Sequence, residues 1–116
     1  MTTTTNKWVD VCSQDDLQPN SGVCALVEDQ QVAIFYMPEN DAIYAINNYD
    51  PFGKVHVLSR GLIGDLNGEP MVSSPLYKQH FSLKTGQCFE DESVVVPAYG
   101  VRIEGNRIEV NLAGEK

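Results

Sequence analysis

Residues 72–86 read Val-Ser-Ser-Pro-Leu-Tyr-Lys-Gln-His-Phe-Ser-Leu-Lys-Thr-Gly, and residues 47–53 read Asn-Asn-Tyr-Asp-Pro-Phe-Gly. Each stretch is built around a proline, Pro75 or Pro51, which fixes φ and stiffens the loop that contains it. In the longer stretch the loop feeds Phe81-Ser82-Leu83, whose apolar-polar-apolar alternation is that of a strand. Lys84-Thr85-Gly86 then supplies turn residues, and Gln87-Cys88-Phe89 reads as the returning strand. Two stiff loops, one of them running into a hairpin, are the frame from which the rest of the chain is read.

The longer stretch resembles the second ligand loop of a Rieske domain, Cys-Pro-x-His-x-x-x-Phe-x-Leu-x-Thr-Gly, with Ser74 at the Cys position and Tyr77 at the His position. The shorter one resembles the Rieske Cys-Pro-His loop, with Asp50 for Cys and Phe52 for His. A [2Fe-2S] cluster of this type takes two thiolates on one iron and two imidazoles on the other. Asp50, Phe52, Ser74 and Tyr77 offer neither thiolate nor imidazole, so the resemblance implies the scaffold without the metal. The 21 residues between Phe52 and Ser74 exceed the usual Rieske gap. The extra length falls in Arg60–Glu69, which reads as a hairpin extension.

Outward from these loops the pattern is one of short strands and turns. Lys7–Cys12 alternates and reads as a strand. Ser13 is placed to cap a single helical turn, with Asp16 three residues on. Val23–Val27 and Val32–Tyr36 are β-rich runs joined by Glu28-Asp29-Gln30-Gln31, a hairpin pattern. Ala42–Ile46 makes another strand after the polar turn 38–41. Tyr49–Tyr77 reads as loop, punctuated by prolines and glycines. Val94–Pro97 and Tyr99–Glu104 read as strands, and Gly105-Asn106 makes a tight turn into Arg107–Leu112. The fold class that follows is all-β, a sandwich or partial barrel of small stacked antiparallel sheets, as the Rieske resemblance also implies.

The 116 residues suit a single domain, 1–116, with residues 1–6 a frayed polar tail. Sixteen acids against eight bases give a formal net charge of −8. That excludes nucleic acid and anionic membrane as expected partners, since both select for clustered Lys and Arg. No run approaches the roughly 18 apolar residues of a membrane span, and the opening residues lack the apolar centre of a signal peptide. The expected location is cytoplasmic. Cys12, Cys24 and Cys88 are odd in number and widely spaced, which favours reduced, mostly buried thiols.

Other chemistry is weakly signalled. Asp50 with His56 and His80 has the residue types of a two-His-one-carboxylate iron site, but no ligand spacing on one element. Cys88 and His80 have the types of a nucleophile and base without a local signature. Ser73 and Ser74 lack a nucleophile elbow. Gly61, Gly64 and Gly68 are turn glycines, since no Gly-Lys-Ser/Thr follows.

Asp50-Pro51-Phe52, Val57–Gly61, Ser74–Phe81 and Thr85–Glu92, together with Trp8–Cys12 and Gly22–Leu26, resemble the family of small subunits of bacterial assimilatory NADH-dependent nitrite reductases. That resemblance implies a non-catalytic subunit of an oxidoreductase that reduces nitrite to ammonium in nitrate and nitrite assimilation. It implies a large catalytic subunit as partner, holding FAD, siroheme and a [4Fe-4S] cluster, with no cofactor on this chain. Rieske ligand loops lie at an exposed tip, so Lys54, His56, Arg60, Tyr77, Lys78 and His80 are the candidate partner contacts. A Rieske-type ferredoxin and a free-standing β binding module are the alternatives.

Overall fold

The computed structural model describes residues 8–38, 42–66, 68–76 and 78–112, so the expected tail and Tyr77 lie outside the described residues. β1 (Val9–Ser13), β2 (Ser21–Val27), β3 (Gln30–Met37), β4 (Ala42–Asn47), β10 (Ala98–Glu104) and β11 (Arg107–Asn111) form one antiparallel sheet in the order β1-β11-β10-β4-β3-β2. The two end strands, β1 and β2, also touch, so the sheet nearly closes into a barrel. A three-stranded sheet, β7 (Leu62–Leu66), β8 (Glu69–Ser73) and β9 (His80–Ser82), stands apart, and β5 (Tyr49–Asp50) pairs with β6 (Val55–His56). No α-helix occurs among the described residues. The all-β class and barrel-like closure match the sequence expectation.

β3 explains how one short chain holds two cores. Successive side chains of a strand face opposite ways. Val32 and Ile34 enter the barrel interior with Val27, Ala45, Ile108 and Val110. Ala33, Phe35 and Met37 face the other way and meet Ile46, Leu58, Val72, Phe81 and Leu83. A strand buried on both sides needs apolar residues in sequence, and Val-Ala-Ile-Phe at 32–35 provides them.

Local chemistry sets the connections. Glu28 and Asp29 carry φ of 49° and 73° between the paired Val27 and Gln30, the two positive values of a tight two-residue hairpin. Ser13 caps the 3-10 turn Gln14–Asp16: its Oγ accepts from Asp15 N at 3.1 Å, and Asp16 Oδ2 accepts from Ser13 N at 3.0 Å. Gly86, at φ 81°, ends the turn after β9, where a Cβ would run into the Val96 carbonyl.

Three expectations are corrected. Tyr49–Tyr77 is not plain loop, because it contains β5 to β8; the stretch at 60–69 is largely the β7–β8 hairpin. Val94–Pro97 is not a strand: only Val95 makes a bridge, to Gln87, while Val96 is drawn into the core. Gln87–Phe89 likewise forms bridges rather than a strand, Cys88 pairing with Phe81. Of the three free thiols Cys88 is buried, Cys12 half-buried and Cys24 exposed, because Cys24 lies on the outer side of β2.

Candidate functional site at the paired loops

Asn48, buried just after β4, anchors the first loop. Its Oδ1 accepts from Ser59 N at 2.6 Å and its carbonyl from Leu58 N at 3.0 Å. Its Nδ2 donates to Gln31 Oε1 at 3.2 Å. The next inward residue is Asp50, with no exposed surface. Asp50 Oδ1 accepts from Phe52 N at 2.8 Å and Gly53 N at 3.2 Å, and its carbonyl accepts from Lys54 N at 2.7 Å. This is the side-chain-mimics-backbone turn that Asp favours. Lys54 closes it at φ 58°.

The second loop, after β8, is organised by Ser74. Its N–H donates to Gln79 O at 2.9 Å, and its Oγ accepts from Leu76 N at 3.2 Å. The same hydroxyl donates to Asp50 Oδ2 at 2.5 Å, and both residues are buried. The positions that carry the two thiolates in the resembled Rieske motif are therefore joined directly by a hydrogen bond. Hydrogen bonds to carboxylates in a dry site are among the stronger kinds. One hydrogen bond thus ties the two loops together at those positions. Phe52 fills the space beside it, half-buried, its ring centroid 6.2 Å from that of Phe81 and tilted by 46°.

A Rieske [2Fe-2S] cluster does not fit this donor set. Asp50 and Ser74 spend their oxygens on each other and on loop amides, and Phe52 has no donor atom to give. Soft thiolates and imidazoles are what such a cluster selects.

The other candidates are placed separately. His56 packs its ring 5.0 Å from Tyr49. His80 Nδ1 donates to Glu90 Oε2 at 2.5 Å, and His80 N donates to Glu90 Oε1 at 2.8 Å. Burial alone would raise the Glu90 carboxyl, but the bonds from His80 outweigh it and hold the group below its usual range. Cys88 Sγ reaches Glu90 Oε1 at 3.6 Å, and burial pushes this thiol up, away from the thiolate a nucleophile needs. Glu90 is the residue that sequence reading missed; its place two residues beyond Cys88 carried no motif. Asp50, His56 and His80 thus have separate partners, and no group of three or more His, Cys, Asp or Glu among the described residues is arranged to hold a metal ion.

Charge is sorted between this tip and the body. Arg107 is paired with Asp10 at 2.7 Å and Arg102 with Glu109 at 2.7 Å. Lys54, Arg60 and Lys78 are exposed and make no ion pair among the described residues. Exposed Val55 and Leu76 stand on the same two loops.

The fold with its paired Pro loops defines a class: the chain belongs to the Rieske-like [2Fe-2S] domain family, whose profile matches residues 7–111. Within it, the chain is homologous to the small subunit of NADH nitrite reductase. It is 47% identical to that subunit from Escherichia coli K12 over 90% of this chain and 97% of the relative. The solution structure of a nitrite reductase [NAD(P)H] small subunit from Erwinia carotovora superposes with a TM-score of 0.77 at 42% identity, covering 97% of this chain and 86% of that one. A nitrite reductase [NAD(P)H] large subunit from Klebsiella oxytoca is 37% identical over 89% of this chain, a match that takes up 11% of the large subunit. No helix among the described residues is long and apolar enough to cross a membrane.

Proposed function

We propose that the chain is the small subunit of an NADH-dependent nitrite reductase, a single metal-free Rieske-like domain that docks on the large catalytic subunit in the cytoplasm. In this reading the large subunit holds FAD, siroheme and the [4Fe-4S] cluster and reduces nitrite to ammonium. The small subunit supports that reaction without performing a step of it. The observation that carries the reading is the identity to the E. coli small subunit along 97% of its length. The loop chemistry favours a docking role over an electron-carrying one, since Asp50, Phe52 and Ser74 stand where a ferredoxin would need thiolates and an imidazole. The proposed contacts are Lys54, His56, Arg60, Tyr77, Lys78 and His80, three of them permanent cations without an ion pair among the described residues.

The test is NADH-dependent nitrite reduction by the purified large subunit, with and without this chain. A rise in rate or in the lifetime of the activity, with co-elution of the two chains, is the expected result. No effect and no co-elution would remove the reading. A [2Fe-2S] spectrum in anaerobically purified small subunit would overturn its metal-free part.

A further inference from the structure

A groove of about 450 Å³ opens beside the first loop, between the β2–β3 turn, β5–β6 and the segment 95–97. Leu26, Val95 and Tyr49 line it with 71%, 55% and 36% of their surfaces exposed. Single exposed apolar side chains are ordinary. Here three arrive from separate segments and, with Pro51 and Pro97, enclose one depression, which is how interaction patches differ from scatter.

The groove shares a wall with the paired loops. Successive residues of a strand face opposite ways, so Asp50 turns inward to Ser74 while Tyr49 and Pro51 turn out to the groove. The bond that holds Asp50 therefore also holds that wall. His56 belongs both to the groove and to the basic tip. On the floor, Gln30 Oε1 accepts from Asn47 Nδ2 at 3.3 Å and Gln31 Oε1 from Asn48 Nδ2 at 3.2 Å.

We infer that this groove is the apolar centre of the contact with the large subunit, and that the basic tip is its rim. The inference rests on the proposed function above. Its occupant is a segment of the large subunit that inserts an apolar side chain between Leu26, Tyr49 and Val95. Charge selects the flanks. The groove lining has Asp29 and no Lys or Arg, and the chain reaches Val95 through exposed Asp91 and Glu92. The tip side carries Lys54 and Lys78. A fitting segment is basic toward Asp29 and acidic toward Lys54. A second copy of this chain fits less well, since each carries a net charge of −8 and the two molecules repel one another as wholes. The Klebsiella relative, in which the aligned region lies inside a large-subunit chain, fits a contact that is lasting rather than fleeting. An apolar centre within a polar rim is the usual build of such interfaces.

The test measures binding of the full chain to the purified, cofactor-loaded large subunit. Leu26→Arg and Val95→Arg change exposed side chains and leave the buried cores intact; Leu62→Arg alters another exposed leucine outside the groove. The expected result is a Kd at least tenfold weaker for the two groove variants and within twofold of the unaltered chain for Leu62→Arg. Backbone amides of 26–31 and 95–96 should exchange hydrogen more slowly in the complex, a readout that needs no variant. Binding by the unaltered chain with no change in either groove variant, or equal loss from Leu62→Arg, overturns the groove and leaves the subunit reading standing. Self-association of the chain that Leu26→Arg abolishes also overturns it, in favour of a homodimer face. Absence of binding by the unaltered chain removes both.

Discussion

At β3 and at the loop tip the chain buries a residue completely, and the two burials rest on opposite chemistry. Phe35 has its side chain enclosed by apolar neighbours, including Met37, Ile46 and Val72, and that side chain makes no hydrogen bond. Asp50 is as fully buried, but its place is set by bonds to Phe52 N, Gly53 N and the Ser74 hydroxyl. Apolar burial is proportional to area and indifferent to angle. A buried carboxyl is tolerated only where its oxygens are satisfied, so its position is exact to a fraction of an ångström or it is costly. The comparison teaches how the tip keeps its shape with a donor set that lacks thiolate and imidazole: hydrogen bonds, which are directional, fix it.

The largest expected effect lies in the apolar region. Phe35→Ala should lower stability by about 3–5 kcal/mol, the usual range for an aromatic removed from a core, measured by denaturant unfolding as one cooperative loss. Asp50→Ala should cost about 2–3 kcal/mol, because it leaves the Ser74 hydroxyl and two loop amides without their acceptor. Its signature is local: amides of Phe52, Gly53 and Ser74 should exchange faster, while those of β3 keep their order of protection. If Asp50→Ala cost more than Phe35→Ala and released β3 equally, the contrast between the two regions would fail.

Ser74→Ala should cost about 1–2 kcal/mol, since Asp50 keeps its two backbone donors. The double variant should then fall short of the sum of the single losses, as residues sharing one bond are not additive. Strict additivity would mean that the Asp50–Ser74 bond contributes nothing. The smallest effect is expected at Glu90, whose folded-state carboxyl lies below its usual value. A carboxyl depressed on folding contributes stability that is present above its unfolded value, near about 4.3, and is lost as pH falls through the folded one. Glu90→Gln should therefore lower the midpoint slightly at pH 7, flatten the stability profile below about pH 4.3 and converge with the unaltered chain in acid, as read from thermal unfolding across pH.

Elements that depend on neighbours in sequence were legible in the chain. The Ser13 cap with Asp16 and the Gly105-Asn106 turn each need residues within three positions of one another, and each formed as read; the hairpin read over 28–31 formed with a tighter turn, Glu28-Asp29, because Gln30 and Gln31 pair as part of β3. Val94–Pro97 misled because β-branched residues in a row suit a buried loop segment as well as a strand. β7 and β8 showed only as a hairpin extension over 60–69 within a stretch otherwise read as loop, because Gly61, Gly64, Gly68 and Pro70 signal turns even where a two-strand edge accepts them. At the site, Phe52 lies against Phe81, but the Glu90 partnership of His80 and the gathering of Leu26, Tyr49 and Val95 left no trace in local pattern.

By itself the sequence determined the class of fold and the absence of Rieske-type ligands at Asp50, Phe52 and Ser74. Both follow from side-chain identity and short-range spacing. Only the tertiary structure decided that Asp50 and Ser74, 24 residues apart, share one hydrogen bond, and that three exposed apolar residues border one groove beside them. The reason is that such meetings depend on how β3, the loops and the small sheet pack, and packing is a property of the closed chain rather than of any stretch of it.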